Sequence, residues 1–491
     1  MLLVLSFPNF GHPAFAWIAL VPLLVSVSGI VVPAHGFGLG LIAGLLHFWG
    51  TVNWIALVMS DYGGLSSIAA WAVHGLLVSY LALFPALFGL AMAQIVWRLG
   101  PLGLLCAPGI WVITEFGRIY LFTGFPWELL GYSQAHVLPV AQLASLFGVV
   151  GVSALIVMVN AAIAYLVVAR QRRWIPVAVT GVVVVATVAF GFWRIRDSRL
   201  TNSGELLRVA AVQGNVEQQD KWDPSHEDEI LSRYLKQTRI AAEDKARLII
   251  WPEASTPFAL ELDPRGELVR TVARETRTNL LVGSTEIDGS SLSYYNAAFM
   301  IDASGTTSGI YRKQHLVPFG EYVPLESVLA FVSPLVESVA SFSAGSDANT
   351  LEIDGHAIGT AICYEVIYPD LVRELVRAGS RLLVTITNDA WYGRSSAPYQ
   401  HFQQATMRAI EQGRFLVRSA NTGISGIIDP YGRVMSRSEL FEPAVVVDDV
   451  RLISEYTVYG RLGDVPLYVV MGLTILFAWV GSRRGSVCGR W

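Results

Sequence analysis

Charge is scarce in this chain. Lys, Arg, Asp and Glu make up only 15% of its 491 residues, against about a quarter in an ordinary soluble domain, so much of it must lie out of water. The charge present nearly balances, 35 basic against 39 acidic side chains for a net −4, which leaves no basic footprint for nucleic acid. Cysteine is scarcer still. Cys106, Cys363 and Cys488 stand far apart with no CxxC spacing, which argues against a disulfide framework or a zinc site. The GxSxG elbow, the HExxH helix and the Walker loop are all missing from the polar half, so a serine hydrolase, a zincin and a P-loop enzyme are poor readings.

What the chain has instead is long apolar runs, with a mean hydropathy of +0.48. Met1–Phe192 is nearly free of ionisable side chains, whereas Leu207–Tyr456 has an ordinary charge density. Runs near the roughly 20 residues needed to cross a bilayer predict spans near Phe15–Val31, Gly36–Val58, Ile68–Val96, Leu102–Leu121, Val140–Val168, Ile175–Phe192 and Val465–Val480. Met1–Phe7 reads as the end of a further span stopped by Pro8, with no signal-peptide pattern; either the true start lies upstream or the first helix is a stub. The expected division is a transmembrane helical domain at 1–195, an extracytoplasmic domain at 205–452 and a C-terminal transmembrane helix at 463–482. With these spans Arg98, Arg170, Arg172, Arg173, Arg483, Arg484 and Arg490 fall on one side. The positive-inside rule makes that side cytoplasmic, which puts the polar domain outside the cytoplasm. Asn53, Trp54, Glu115, Arg118 and Thr123–Gln134 read either as an interfacial belt with snorkelling charges or as a vestibule under that domain. The glycines of Gly36–Gly44 fit close helix packing better than a nucleotide loop.

In the polar domain, strand-like runs at Leu207–Val212, Leu248–Trp251, Leu280–Ser284, Ala297–Ile301, Ala357–Ile362, Leu382–Asn388, Phe415–Ala420 and Ile424–Ile428 alternate with helical stretches. These helices are expected at His226–Lys245, Glu267–Thr276, Pro369–Arg377 and Ala397–Gly413. That alternation predicts an α/β layered domain. Three apolar runs close on polar residues: LIIWP on Glu253, AIGTAI on Cys363, and LLVTIT on Asn388 and Asp389. Strand ends of α/β sheets open onto the crevice where sites form. A thiol is mostly protonated at neutral pH. A carboxylate to take its proton and a cation to hold an oxyanion, here Glu253 and Lys313, would turn Cys363 into a nucleophile. Alone, each could be a buried small residue, a surface carboxylate or a solvated lysine.

WPE, RKQHLVPFGEYVP, ICYE and NDAWYG, in this order, resemble the Glu-Lys-Cys signature of the nitrilase superfamily, which implies an αββα sandwich. TGFPWELLGYSQ, VQGNVEQQDKWD and PYQHFQQATMRAIE narrow the resemblance to the apolipoprotein N-acyltransferases, over nearly the whole chain. The family is similar in placing its catalytic domain on the periplasmic face of the bacterial inner membrane, and differs in having a complete first helix. The resemblance implies Cys363 as nucleophile, Glu253 as general base and Lys313 as oxyanion stabiliser. It implies Glu321, Tyr364, Glu365 and Asn388 as supporting residues and Trp222, Trp127 and Trp391 as substrate-binding aromatics. The expected reaction moves an acyl chain from a membrane phospholipid through a Cys363 thioester to the α-amine of diacylglyceryl-modified apolipoproteins. The expected partners are therefore the phospholipid donor, those acceptors and the bilayer, with no nucleic acid and no metal or organic cofactor. Two other readings keep some of these features: a membrane-tethered amidase that uses water on a small C–N substrate, and a non-enzymatic membrane protein with a degenerate domain. Val328–Asp347 and Asn388–Pro398 have the length and Gly/Ser content of lids.

Overall fold

The computed structural model describes residues 1–8, 10–169, 174–289, 292–318, 320–322, 342–346 and 349–484. Arg170, Arg172, Arg173 and Arg490 of the orientation argument, and most of the lid expected at Val328–Asp347, lie outside these residues.

The first part is helical. Ser67–Tyr120, Ala144–Val168 and Trp174–Asn202 are long and apolar enough to cross a membrane, and Pro33–Thr51 with Trp54–Asp61 makes a fourth candidate, bent by 52°. Two expected spans, Ile68–Val96 and Leu102–Leu121, are joined through the 3-10 turn Gly100–Cys106 and fold back on each other, with Phe88 edge-on to Trp111 at 5.1 Å. The run expected at Phe15–Val31 is broken into a 3-10 turn, Pro13–Trp17, and a helix, Val21–Ser28. Pro13 and Pro22 each sit in the first turn of their element, a position where proline starts a helix and cannot continue one. Gly36 and Gly40 bring Pro33–Thr51 against Ser67–Leu99. A Cβ on Gly40 would lie 2.1 Å from the Pro85 carbonyl oxygen, and one on Gly36 would lie 2.5 Å from that of Gly89.

The second part holds β1 (Glu205–Gln213), β2 (Leu248–Ile250), β3 (Asn279–Asp288), β4 (Ser293–Ile301), β5 (Thr307–Arg312), β6 (Leu351–Ile353), β7 (His356–Ile362), β8 (Leu382–Thr387), β9 (Leu416–Ala420), β10 (Gly426–Ile428), β11 (Val434–Arg437) and β12 (Ala444–Leu452). They form two six-stranded sheets, ordered β12-β1-β2-β3-β4-β5 and β11-β10-β9-β8-β7-β6. The central pairs β1–β2, β2–β3, β7–β8 and β8–β9 are parallel. β12 returns antiparallel along the whole of β1, Glu205 opposite Leu452 and Gln213 opposite Ala444. Side chains alternate across each strand. Val209, Ala211, Leu248 and Ile250 face Ile358, Ile362 and Leu382 in a core between the sheets. Ala210, Val212, Ile249 and Trp251 face outward, under Tyr234 and Val269 of the helices Glu227–Glu243 and Gly266–Thr276. Pro369–Arg377 and Ala397–Gln412 cover the second sheet. The architecture is the expected αββα sandwich beside a helical bundle.

Ala397–Gln412 belongs to both parts. Every residue in it except Tyr399 is buried. Its Phe402, Ala405 and Ala409 join the apolar cluster of the second sheet, while Met407 and Ile410 join the core of the helical part. Glu411 Oε1 accepts the Val149 N–H at 2.7 Å, one residue past the break that Gly148 makes with φ +67. The carboxylate therefore caps a helix that restarts there.

Candidate active site

The ends of β2, β5, β7 and β8 deliver Glu253, Lys313, Cys363 and Asn388 to one rim. Lys313 Nζ lies 3.3 Å from Glu253 Oε1 and 2.9 Å from Glu321 Oε1. Asn296 Nδ2, from β4, donates to the same two carboxylates at 2.7 and 2.9 Å. The second oxygen of Glu253 accepts the Asn388 N–H at 2.8 Å, and that of Glu321 accepts the Val317 N–H at 2.8 Å. Each carboxylate is thus fixed by both its oxygens, as a buried charge requires.

Cys363 opens a 3-10 turn, Cys363–Ile367, directly after β7, with φ +52. A non-glycine residue there carries about 1–2 kcal/mol of strain, which its neighbours must hold. Glu365 accepts N–H groups from Ile362 at 2.6 Å, Gln314 at 2.6 Å and His315 at 3.2 Å, and the Tyr311 hydroxyl at 3.0 Å. It thereby pins the turn to the segment that carries Lys313. On the other side, His401 Nε2 donates to the Cys363 carbonyl oxygen at 3.1 Å. A proton on Nε2 leaves Nδ1 to accept Arg418 Nη2 at 3.1 Å. Arg418 also donates to Asp389 at 2.7 Å, and Thr387 adds a bond of 2.8 Å.

Burial opposes charge on Glu253. Lys313, then Asn296, Lys221 and the Asn388 N–H, outweigh it and hold the carboxyl below its usual range. For Lys313 burial also opposes charge, and Glu321 and Glu253 overcome it, holding the ammonium well above its usual value. Burial, then the charge of Glu253, pushes the Cys363 thiol well up, with Lys313 pulling the other way. The resting site is thus a carboxylate, an ammonium and a neutral thiol, the state from which Glu253 can accept a proton.

The remaining expected residues have distinct places. Tyr364 is buried edge-on to Tyr368, ring centres 5.3 Å apart. Asn388 uses its side chain to tie Gln218 to Asn421, at 2.8 and 2.9 Å. Trp222 is 50% exposed on the loop after β1, and Trp391 meets Tyr62 edge-on at 5.5 Å. Trp127 is fully buried; its Nε1 donates to Gln400 Oε1 at 2.7 Å and its ring lies 5.0 Å from that of Trp54. Of the two readings open for Glu115 and Arg118, snorkelling is not what the fold shows. Both are buried: Arg118 donates to the carbonyls of Trp127 and Glu128 at 2.7 and 3.2 Å, and Glu115 accepts the Leu130 N–H at 2.9 Å. Irregular backbone away from water needs such partners, and this pair supplies them to Trp127–Leu130. A cavity of about 670 Å³ opens between Tyr120–Thr123 at the end of Ala107–Tyr120 and the Gln314–Leu316 segment that follows Lys313.

Three residues at the site were not anticipated. Asn296 has a visible signal, a polar side chain interrupting the apolar strand SYYNAAFMI. Lys221, whose Nζ donates to the Glu253 carbonyl oxygen at 3.1 Å, has none beyond standing next to Trp222. His401 lies within PYQHFQQ without any flanking pattern. No group of three or more His, Cys, Asp or Glu side chains among the described residues is arranged to hold a metal ion.

Residues 208–456 match the family described as carbon-nitrogen hydrolase, and residues 1–162 match the apolipoprotein N-acyltransferase N-terminal domain. The chain is 41% identical to an apolipoprotein N-acyltransferase of Geobacter metallireducens, over 99% of this chain and 94% of that one. It is 36% identical to one of Methylococcus capsulatus, over 99% and 95%. Among solved structures, the NitN amidase from Neterenkonia sp. AN1 is 22% identical over 54% of this chain and 98% of its own, with a TM-score of 0.41.

Proposed function

This chain belongs to the apolipoprotein N-acyltransferase family, and on that footing we propose that it moves a fatty acyl chain from a membrane phospholipid to the N-terminal amine of S-diacylglyceryl-cysteine lipoproteins, by way of a thioester on Cys363. Acyltransferase activity in lipoprotein maturation, in a bacterial membrane, is the common ground with its relatives. In the proposed first step Glu253 takes the Cys363 proton and the thiolate attacks an ester carbonyl of the donor. Lys313 and neighbouring N–H groups stabilise the tetrahedral oxyanion. The carbon–oxygen bond breaks, Glu253 returns its proton to the departing alkoxide, and a lysophospholipid leaves. In the second step the neutral acceptor amine attacks the thioester, Glu253 takes the amine's proton and passes it to the leaving thiolate. The amide is formed and Cys363 is again a thiol. Glu321, Asn296 and Asn388 hold Lys313 and Glu253 in place for both halves.

The observation that supports this most is the shared geometry of Glu253, Lys313 and Glu321 beside a cysteine held at positive φ. The proposal includes the division into a transmembrane domain at 1–195, a periplasmic catalytic domain at 205–452 and a C-terminal transmembrane helix at 463–482. The test is intact-protein mass spectrometry after incubation with phospholipid and no acceptor. We expect one added acyl mass on Cys363, released by neutral hydroxylamine and by a diacylglyceryl peptide but only slowly by water. An unmodified Cys363 in a protein that hydrolyses small amides would replace this reading with a membrane-tethered amidase.

A further inference from the structure

Lys313 is a shared cation. Two carboxylates lie within 3.3 Å of its Nζ, so Glu253, Glu321 and Lys313 together carry one net negative charge. The thiolate and the oxyanion of the proposed reaction are both anions. Proton transfer to Glu253 only moves that negative charge onto the sulfur and then onto the oxyanion, while Lys313 stays paired with Glu321 at 2.9 Å. The new anion therefore stands without a cation of its own in a site that water does not screen.

A second cation stands at the same centre. Lys221 is 3% exposed, and its Nζ makes one hydrogen bond among the described residues, to the Glu253 carbonyl oxygen at 3.1 Å. Its loop is built rather than loose. Asn421 holds Val216 by both N–H and carbonyl, at 3.0 and 2.8 Å. Gln218 accepts Asn388 Nδ2 at 2.8 Å, and this is the residue whose backbone N–H holds Glu253. Burying an ammonium costs several kcal/mol, far more than one bond to a carbonyl returns. Its electrostatic partners are the Glu253 carboxylate and Cys363.

We infer that Lys221 is a second cation of the reaction centre, balancing the two carboxylates so that the Cys363 thiolate and the oxyanion can form. The oxyanion half of this rests on the acyl-transfer reading; the thiolate half does not. Cys363 faces Glu253 after β2, Lys313 after β5, Asp389 and Tyr392 after β8, and Tyr364 on its own turn. Lys221 adds the cation on the side of the β1 loop. Burial holds its own ammonium down to about 8, so its support is present at neutral pH and fades as pH rises past that value.

The experiment is the pH profile of Cys363 alkylation by iodoacetamide, read by peptide mass mapping on the full-length protein in detergent. Losing the cation makes the thiol harder to ionise, so Lys221→Met is expected to slow alkylation about tenfold at neutral pH, one unit of thiol pKa. The gap should narrow above pH about 8, and Lys221→Arg should restore the wild-type rate and extend it to higher pH. A Lys221→Met protein with the wild-type profile, whether or not it melts earlier, overturns the inference. If the shift appears but wild-type protein forms no acyl adduct with phospholipid, Lys221 keeps its place and the transferase reading falls.

Discussion

Glu365 acts on the reaction through backbone, holding the N–H of Ile362 just before Cys363 and those of Gln314 and His315 just after Lys313. Every hydrogen-bonding group that the structure places around its carboxylate is a donor. Glu365→Gln keeps the shape but turns an NH₂ toward some of them, which leaves buried N–H groups unpaired at about 1–3 kcal/mol. Expected are a lower melting temperature and slower thioester formation, measured by differential scanning fluorimetry and by the Cys363 acyl-mass assay. Lys313→Arg should be as damaging as Lys313→Met in that assay, since a planar fork cannot take the single point that two carboxylates and Asn296 surround. At this scale Glu253 and Cys363 were legible because each ends an apolar run. Lys313 and Glu321 were legible from a motif. Lys221 was not, because it sits in a loop, where position in the chain says nothing about which way a side chain turns, and Asn296 left only a polar break in its strand, which names no partner.

The same contrast governs whole elements. The runs read as strands correspond to β1, β2, β3, β4, β7, β8, β9 and β10. The ones missed, β5, β6, β11 and β12, are the outer strands of the two sheets. An inner strand is covered on both faces and by both neighbours, so it reads as a continuous apolar run. An edge strand keeps one flank in water and mixes its composition, as the exposed and half-exposed VMSR of β11 does. Among the helices, Pro33–Thr51 offers a test with its own control. A methyl at Gly40 meets the Pro85 carbonyl at 2.1 Å, while one at Gly38 meets nothing within 4 Å. Gly40→Ala should therefore lower the thermal transition of the detergent-solubilised protein. Gly38→Ala should leave it unchanged or raise it slightly, by the 0.5–1 kcal/mol or so that alanine gains over glycine in a helix.

For the whole molecule the decisive element is Ala397–Gln412, whose Gln400 accepts the indole N–H groups of Trp54 and Trp127 at 3.1 and 2.7 Å and donates to the carbonyls of Pro8 and Thr51 at 3.1 and 2.9 Å. Gln400→Leu strands the two indoles and the Thr51 carbonyl in a buried place, each at about 1–3 kcal/mol, and frees the part-buried Pro8 carbonyl. The helical and catalytic parts should then melt earlier and together, followed by circular dichroism for the helices and by Cys363 labelling for the sandwich. Two separate transitions would mean that the shared helix does not couple them. The apolar runs disclosed both parts, but this junction was hidden, because a helix with many amides and charges reads as a solvated one. The pairing of β1 with β12 bears on a different matter, the order in which the molecule can be made. β1 leaves the ribosome more than two hundred residues ahead of the strand that covers its flank. At roughly 5–20 residues per second that flank waits tens of seconds with an open row of backbone groups. The sandwich closes only as the apolar helix beginning at Val465 is being synthesised, so completion of the sandwich and the appearance of that helix are nearly one event.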